Sequence, residues 1–193
     1  ADVSRNIMPA ERRPLAPKVA RGEFHLLSIG INAYQHCPLL QTAVRGATEI
    51  ARVLMDRYGF VREQVTLLLE EQATRPELIR TLRDLARKLR SDDSLMIFFA
   101  GHGHLDEFGL GHWLPVEASL SEPADWLSNA DIKNVLRVTK ARHVLLVSDS
   151  CFAGDFFRDA GPGAPGITDA YVEMAFQKMS RQVLASGGLE PVL

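Results

Sequence analysis

Only two cysteines, Cys37 and Cys151, occur in the 193 residues. That is too few for a disulfide framework and suits a reducing compartment in which a thiol stays free, so a cytoplasmic protein is expected. No run approaches the roughly 18 apolar residues of a membrane span, and no apolar segment follows the basic N-terminal residues as a leader would require. Charge of one sign is missing as well: the formal net charge is -2 with 24% charged residues, which gives neither nucleic acid nor an anionic membrane as a partner. The first apolar run is not followed by G-x-G-x-x-G or G-x-x-x-x-G-K-S/T, so a phosphate-binding doubly wound domain is disfavoured. No G-x-S-x-G elbow surrounds Ser150, which removes an α/β-hydrolase.

What is present is an alternation of short apolar runs with longer helical stretches. Residues 1–22, with Pro9, Pro14 and Pro17 and no apolar period, read as an arm or linker. Phe24–Ile31, Gln64–Leu69, Ser94–Ala100, Arg142–Ser148 and Arg181–Ala185 read as strands. Helices are expected over Thr42–Tyr58, from a Thr74 cap through Leu78, Leu82, Leu85 and Leu89, and over Asn129–Thr139, with a short hairpin around Leu110–Pro115. Strands that are apolar throughout and alternate with helices imply an α/β fold, a mostly parallel sheet covered on both faces. Right-handed crossovers then gather the carboxyl ends of the strands on one edge. Asp159–Ile167 is Gly- and Pro-rich and reads as a linker. The chain ends eight residues after the fifth strand, as a fragment or one piece of a processed protein would.

Two motifs fall at that carboxyl edge, Ala100-Gly101-His102-Gly103-His104 and Ser148-Asp149-Ser150-Cys151-Phe152-Ala153-Gly154. Ligands collect at this edge of open α/β sheets. Neighbouring strands lie about 4.8 Å apart, so side chains just past two adjacent ends can meet. An imidazole beside a thiol makes chemical sense. A free thiol, with a pKa near 8.5, is mostly protonated at neutral pH; an imidazole activates it and later protonates the leaving amine. Gly101 and Gly103 are read as sharp-turn glycines, with the backbone N–H groups of Gly103 and Cys151 as the oxyanion hole.

At these residues the chain resembles the caspase/metacaspase superfamily of cysteine peptidases, particularly its bacterial caspase-like members. The FFAGHG and DSCFAG pair carries the resemblance. The IGINAY stretch is similar to the family's first strand and turn, and Ser180–Val192 to the start of its small-subunit half. His102 and Cys151 are 49 residues apart, in line with the spacing of about 50 residues noted for caspases. The resemblance implies a caspase-hemoglobinase fold lacking the C-terminal part of the small-subunit region: a large-subunit core over 23–157, a linker over 158–180 and the small-subunit start over 181–193. It implies a thiol protease made as a zymogen, acting on protein or peptide substrates, with the remaining small-subunit segment or a regulatory domain as partner.

Asp149, two before the nucleophile, falls where this superfamily lines the S1 pocket. A partly desolvated carboxylate there favours a cationic P1 side chain, Arg before Lys. Two positions depart from metacaspases, which carry a second pocket Asp where this chain has Gly46 and a Ser where it has Ala100. The acidic cluster that binds calcium in some metacaspases is not evident near Ser128–Asp131, so neither cofactor nor metal is expected. Autoprocessing in the linker points to Arg158, Lys178 or Arg181.

The bland alternatives are an inert buried thiol at Cys151, a backbone-capping Asp149, and a caspase-fold pseudoprotease or peptide-binding scaffold without activity. His104 is the rival base and is read as a loop residue. Zinc on His102 and His104 is disfavoured, because no second Cys lies nearby. His25, His36, His112 and His143 are read as structural or exposed, Cys37 as a bystander, and the charged stripe from Arg80 to Arg90 as a solvated helix face.

Overall fold

The structure, a computed structural model, describes residues 22–150 and 179–185. Five strands, β1 (Phe24–Gly30), β2 (Val65–Leu69), β3 (Ser94–Ala100), β7 (His143–Asp149) and β8 (Ser180–Ala185), form one sheet in the order β2-β1-β3-β7-β8, every neighbouring pair parallel. A second, antiparallel sheet of three short strands, β4 (Gly103–Leu105), β5 (Gly111–Trp113) and β6 (Leu127–Ser128), follows the end of β3. The helices are α1 (Ala43–Arg57), α2 (Arg75–Lys88) and α3 (Asn129–Val138).

The strands form where apolar side chains run on without a break, because both faces of the sheet are covered. Leu27, Ile29, Leu95, Ile97, Phe99, Val144 and Leu146 point to the face that holds Leu78, Leu82 and Leu85 of α2 and Ile132 and Leu136 of α3. The opposite face packs Leu26, Val65 and Met96 against Ala51, Leu54 and Met55 of α1. Burial of each such Leu, Ile or Val contributes about 1.5–3 kcal/mol before chain entropy is subtracted.

Helix starts follow local chemistry. Thr74 accepts a hydrogen bond from the N–H of Glu77 at 3.4 Å, with Pro76 in the first turn. Ser128 does the same for Asp131 N–H at 3.0 Å. Arg80 pairs with Glu77, and Arg87 with Asp84, on the exposed face of α2. Trp113 of β5 stacks on Phe99 of β3, ring centroids 4.2 Å apart and 6° from parallel, which pins the small sheet to the large one. Among the described residues, no helix is long and apolar enough to cross a membrane.

Candidate active site

Three strand ends converge on the carboxyl edge. Gly30, Ala100 and Asp149 stand side by side in the register of β1, β3 and β7. Ile31 N–H donates to the carbonyl of Ala100 at 3.1 Å, and Gly101 N–H to the carbonyl of Asp149 at 3.4 Å. The loops that begin at 31, 101 and 150 therefore leave the sheet as neighbours. Gly30 is the point where α1 comes closest: a Cβ there would lie 2.8 Å from both the carbonyl oxygen of Ala43 and the Cβ of Ala47.

The imidazole of His102 is held from two sides by the first of these loops. Its backbone N–H donates to Tyr34 Oη at 2.8 Å, and the two rings lie 4.8 Å apart at 47°. Its Nε2 is 2.8 Å from the carbonyl oxygen of Pro38. A carbonyl only accepts, so Nε2 carries the proton in the neutral ring and Nδ1 keeps its lone pair. Tyr34 is buried, which pushes its phenol pKa up and keeps the hydroxyl intact.

The loop owes its shape to Asn32 and Glu70. Asn32 Oδ1 accepts from the N–H groups of Ala43 at 2.9 Å and Val44 at 3.4 Å, capping α1 from eleven residues away while Thr42 makes no side-chain cap. Glu70 Oε2 accepts from the N–H groups of Asn32 and Ala33, both at 2.9 Å. Glu70 itself has φ 48°, left-handed backbone that a β-carbon disfavours.

The chain bends at Gly101 as it leaves β3, but neither glycine flanking His102 takes up left-handed backbone. Gly103 already belongs to β4. Gly101 is there for close approach: a Cβ on it would lie 2.5 Å from Tyr34 Oη and 2.9 Å from Phe99 Cζ. Gly103 lies opposite Trp113, and the flanking bond runs from Leu114 N–H to the carbonyl of His102 at 3.0 Å. That makes the Gly103–Trp113 pair a non-hydrogen-bonded one, so the Gly103 N–H points away from β5.

Asp149 ends β7 on the α1 face of the sheet, in line with Val147 and Leu145, and its side chain is exposed. Gly46 of α1 looks onto Phe98 on the same face, where a Cβ would meet only that ring, at 3.9 Å. Ser148 and Ser150, both buried, share a hydrogen bond of 2.9 Å at the end of β7. Arg181 lies within β8, and its guanidinium donates to the carbonyls of Arg142 and Thr139, both at 3.1 Å. Cys151, Arg158 and Lys178 lie outside the described residues, as do the arm over 1–21, most of the linker and the chain after 185.

His104 and His112 face each other across β4 and β5, and both rings meet the edge of Trp126, at 4.5 and 5.4 Å. His112 Nε2 is 3.0 Å from Asp106 Oδ2. Burial, and then the neighbouring His112, push the His104 pKa down. Cys37 is half-buried with its Sγ 3.4 Å from the carbonyl of Ala118, and burial pushes its thiol pKa up. Pro38 and Glu70 are the positioning groups that the sequence did not single out. Asn32 and Tyr34 stand in the IGINAY stretch without any sign of what they bind.

The caspase domain family matches this chain over residues 25–189. Metacaspase-7 of Arabidopsis thaliana is 26% identical over 148 residues, 69% of this chain and 36% of that protein. Metacaspase-1B of Aspergillus oryzae is 31% identical over 88 residues, 42% of this chain and 21% of that protein. In fold, the chain is similar to the crystal structure of protein GSU0716 from Geobacter sulfurreducens, with a TM-score of 0.57 and 25% identity over 69% of this chain and 52% of that one. The chain thus spans between about a fifth and about a third of the length of these metacaspases.

Proposed function

The chain belongs to the caspase domain family, and on that footing we propose that it is a cysteine endopeptidase whose nucleophile is Cys151 and whose base is His102. The observation that carries the reading is the clamp on His102. With Nε2–H held by the Pro38 carbonyl, the ring offers Nδ1 at the same sheet edge from which the chain runs on through Ser150 to Cys151.

In this reading Nδ1 takes the proton of the Cys151 thiol, and the thiolate attacks the scissile carbonyl. Negative charge develops on the carbonyl oxygen, where the Gly103 and Cys151 N–H groups serve as donors. With both ring nitrogens protonated, the Pro38 carbonyl still holds Nε2–H, so the ring keeps its orientation. Nδ1–H then protonates the leaving amine and the C–N bond breaks. Water, deprotonated by the same imidazole, hydrolyses the thioester and restores the thiol.

Asp149 supplies the negative charge for an Arg side chain at P1, with Lys second. Gly46 brings no second carboxylate, and a planar guanidinium can still take both oxygens of Asp149. A peptide library varied at P1, digested by the protein and by its Cys151→Ala variant, tests both parts. Cleavage after Arg that vanishes in the variant is the expected outcome. Cleavage persisting in the variant removes the dyad, cleavage with no basic preference removes the role of Asp149, and no cleavage by either protein favours a peptide-binding scaffold.

A further inference from the structure

The opposite rim of the sheet holds a group of side chains that the peptidase chemistry does not use. His25, near the start of β1, is 1% exposed, and neither Nδ1 nor Nε2 has a hydrogen-bond partner. Its Nε2 nevertheless faces two carboxylates, Oε2 of Glu23 at 3.6 Å and Oδ2 of Asp93 at 3.8 Å. Asp93, in the turn before β3, is 2% exposed, whereas Glu23 opens to solvent. Both distances are too long for a hydrogen bond. They do suit neighbouring ligands of one ion: bonds of about 2.0–2.1 Å give a tetrahedral shell edges of about 3.3 Å. The three ligand atoms lie within 4.8 Å of one another, with Glu23 on the solvent side.

We propose that Glu23, His25 and Asp93 form a binding site for a divalent ion of the zinc class, unconnected with catalysis. One imidazole with two carboxylates suits a first-row ion better than calcium, which takes oxygen ligands. Water from the Glu23 side completes four-coordination. The two carboxylate charges balance the ion.

The surroundings fix the carboxylates. Asp93 accepts from the N–H groups of Glu23 at 2.9 Å and Arg90 at 2.8 Å, and Gln64 Nε2 donates to Glu23 Oε2 at 2.9 Å. The nearby cations are already engaged: Arg90 Nη2 lies 3.7 Å from Oδ1 of Asp93, the oxygen the ion does not use, and Lys88 donates to Gln64 at 3.3 Å. Gly22 enters so close that a Cβ would lie 2.2 Å from the Asp92 carbonyl group. The ion would therefore tie the entry of β1 to the turn before β3, about 20 Å of strand away from His102.

The test is calorimetric titration of the metal-stripped full chain with Zn²⁺, and of the same protein with Co²⁺ followed by visible absorption. One equivalent is expected in the parent and in Cys151→Ala alike, with the intense absorption of four-coordinate Co²⁺. Glu23→Gln, an exposed substitution that leaves the core intact, weakens zinc binding by at least the ~10–100-fold that loss of a supporting ligand contact costs. Asp93→Asn does the same. Binding that disappears in Cys151→Ala places the ion on the thiol and overturns the proposal. So does binding unaffected by Glu23→Gln, or no binding in the parent.

Discussion

Tyr34 shows what a single residue does at this site. Its hydroxyl is the acceptor for the His102 N–H, and the pressure of that contact is what excludes any side chain at Gly101. Tyr34→Phe keeps the ring beside the imidazole but leaves the N–H without its partner. The expected cost is about 1–3 kcal/mol in urea denaturation. A shift of the imidazole by an ångström would also lower kcat by up to about 100-fold. A variant as stable and as active as the parent would show that the hydroxyl contributes nothing to the site. The sequence displays the imidazole and the thiol plainly, because the proposed chemistry needs those two side chains and no others would serve. It hides their supports. The contact from Tyr34 to His102 spans 68 residues, that from Pro38 spans 64, and Pro38 acts through a backbone carbonyl that any residue possesses.

At the scale of the elements, the small sheet carries its own pH dependence. Burial against Trp126 and the adjacent His112 depress the pKa of His104 below its ordinary 6.5. The unfolded chain therefore takes up this proton first as pH falls. Stability drops from about pH 6.5 down to the depressed folded value and is level in this respect below it. Urea denaturation at pH 7 and at pH 5 should show a smaller loss in His104→Gln than in the parent, and equal losses would remove His104 as the cause. The large elements were legible because continuous apolar runs and the Thr74 cap leave few alternatives. The glycines beside His102 were not. A glycine required for close packing and one required for a turn look the same in a sequence, and β4 is too short for any period to declare it.

At the scale of the whole molecule, the sheet bears on the proposed self-cleavage. Arg181 lies in a paired strand with its guanidinium engaged, whereas a peptidase cleft takes extended, unpaired chain, so of the three candidates it is the one least expected to be cut. Arg158 and Lys178 are the positions at which the active protein is expected to cut itself. Intact-mass spectrometry should find these cuts in the parent and none in Cys151→Ala. Identical masses for the two proteins would exclude autoprocessing. The same sheet brings two motifs 49 residues apart in the chain to adjacent strand ends, and a peptidase needs the two to be chemically coupled. The rate of alkylation of Cys151 by iodoacetamide as a function of pH measures that coupling, in the parent and in His102→Ala, with Cys37 as the internal standard. The parent should react at Cys151 well below the ordinary thiol pKa of about 8.5, and His102→Ala should return that profile to the ordinary range. Cys37, raised by burial, should respond only above it in both. Superimposable Cys151 profiles for the two proteins would contradict the pairing of thiol and imidazole.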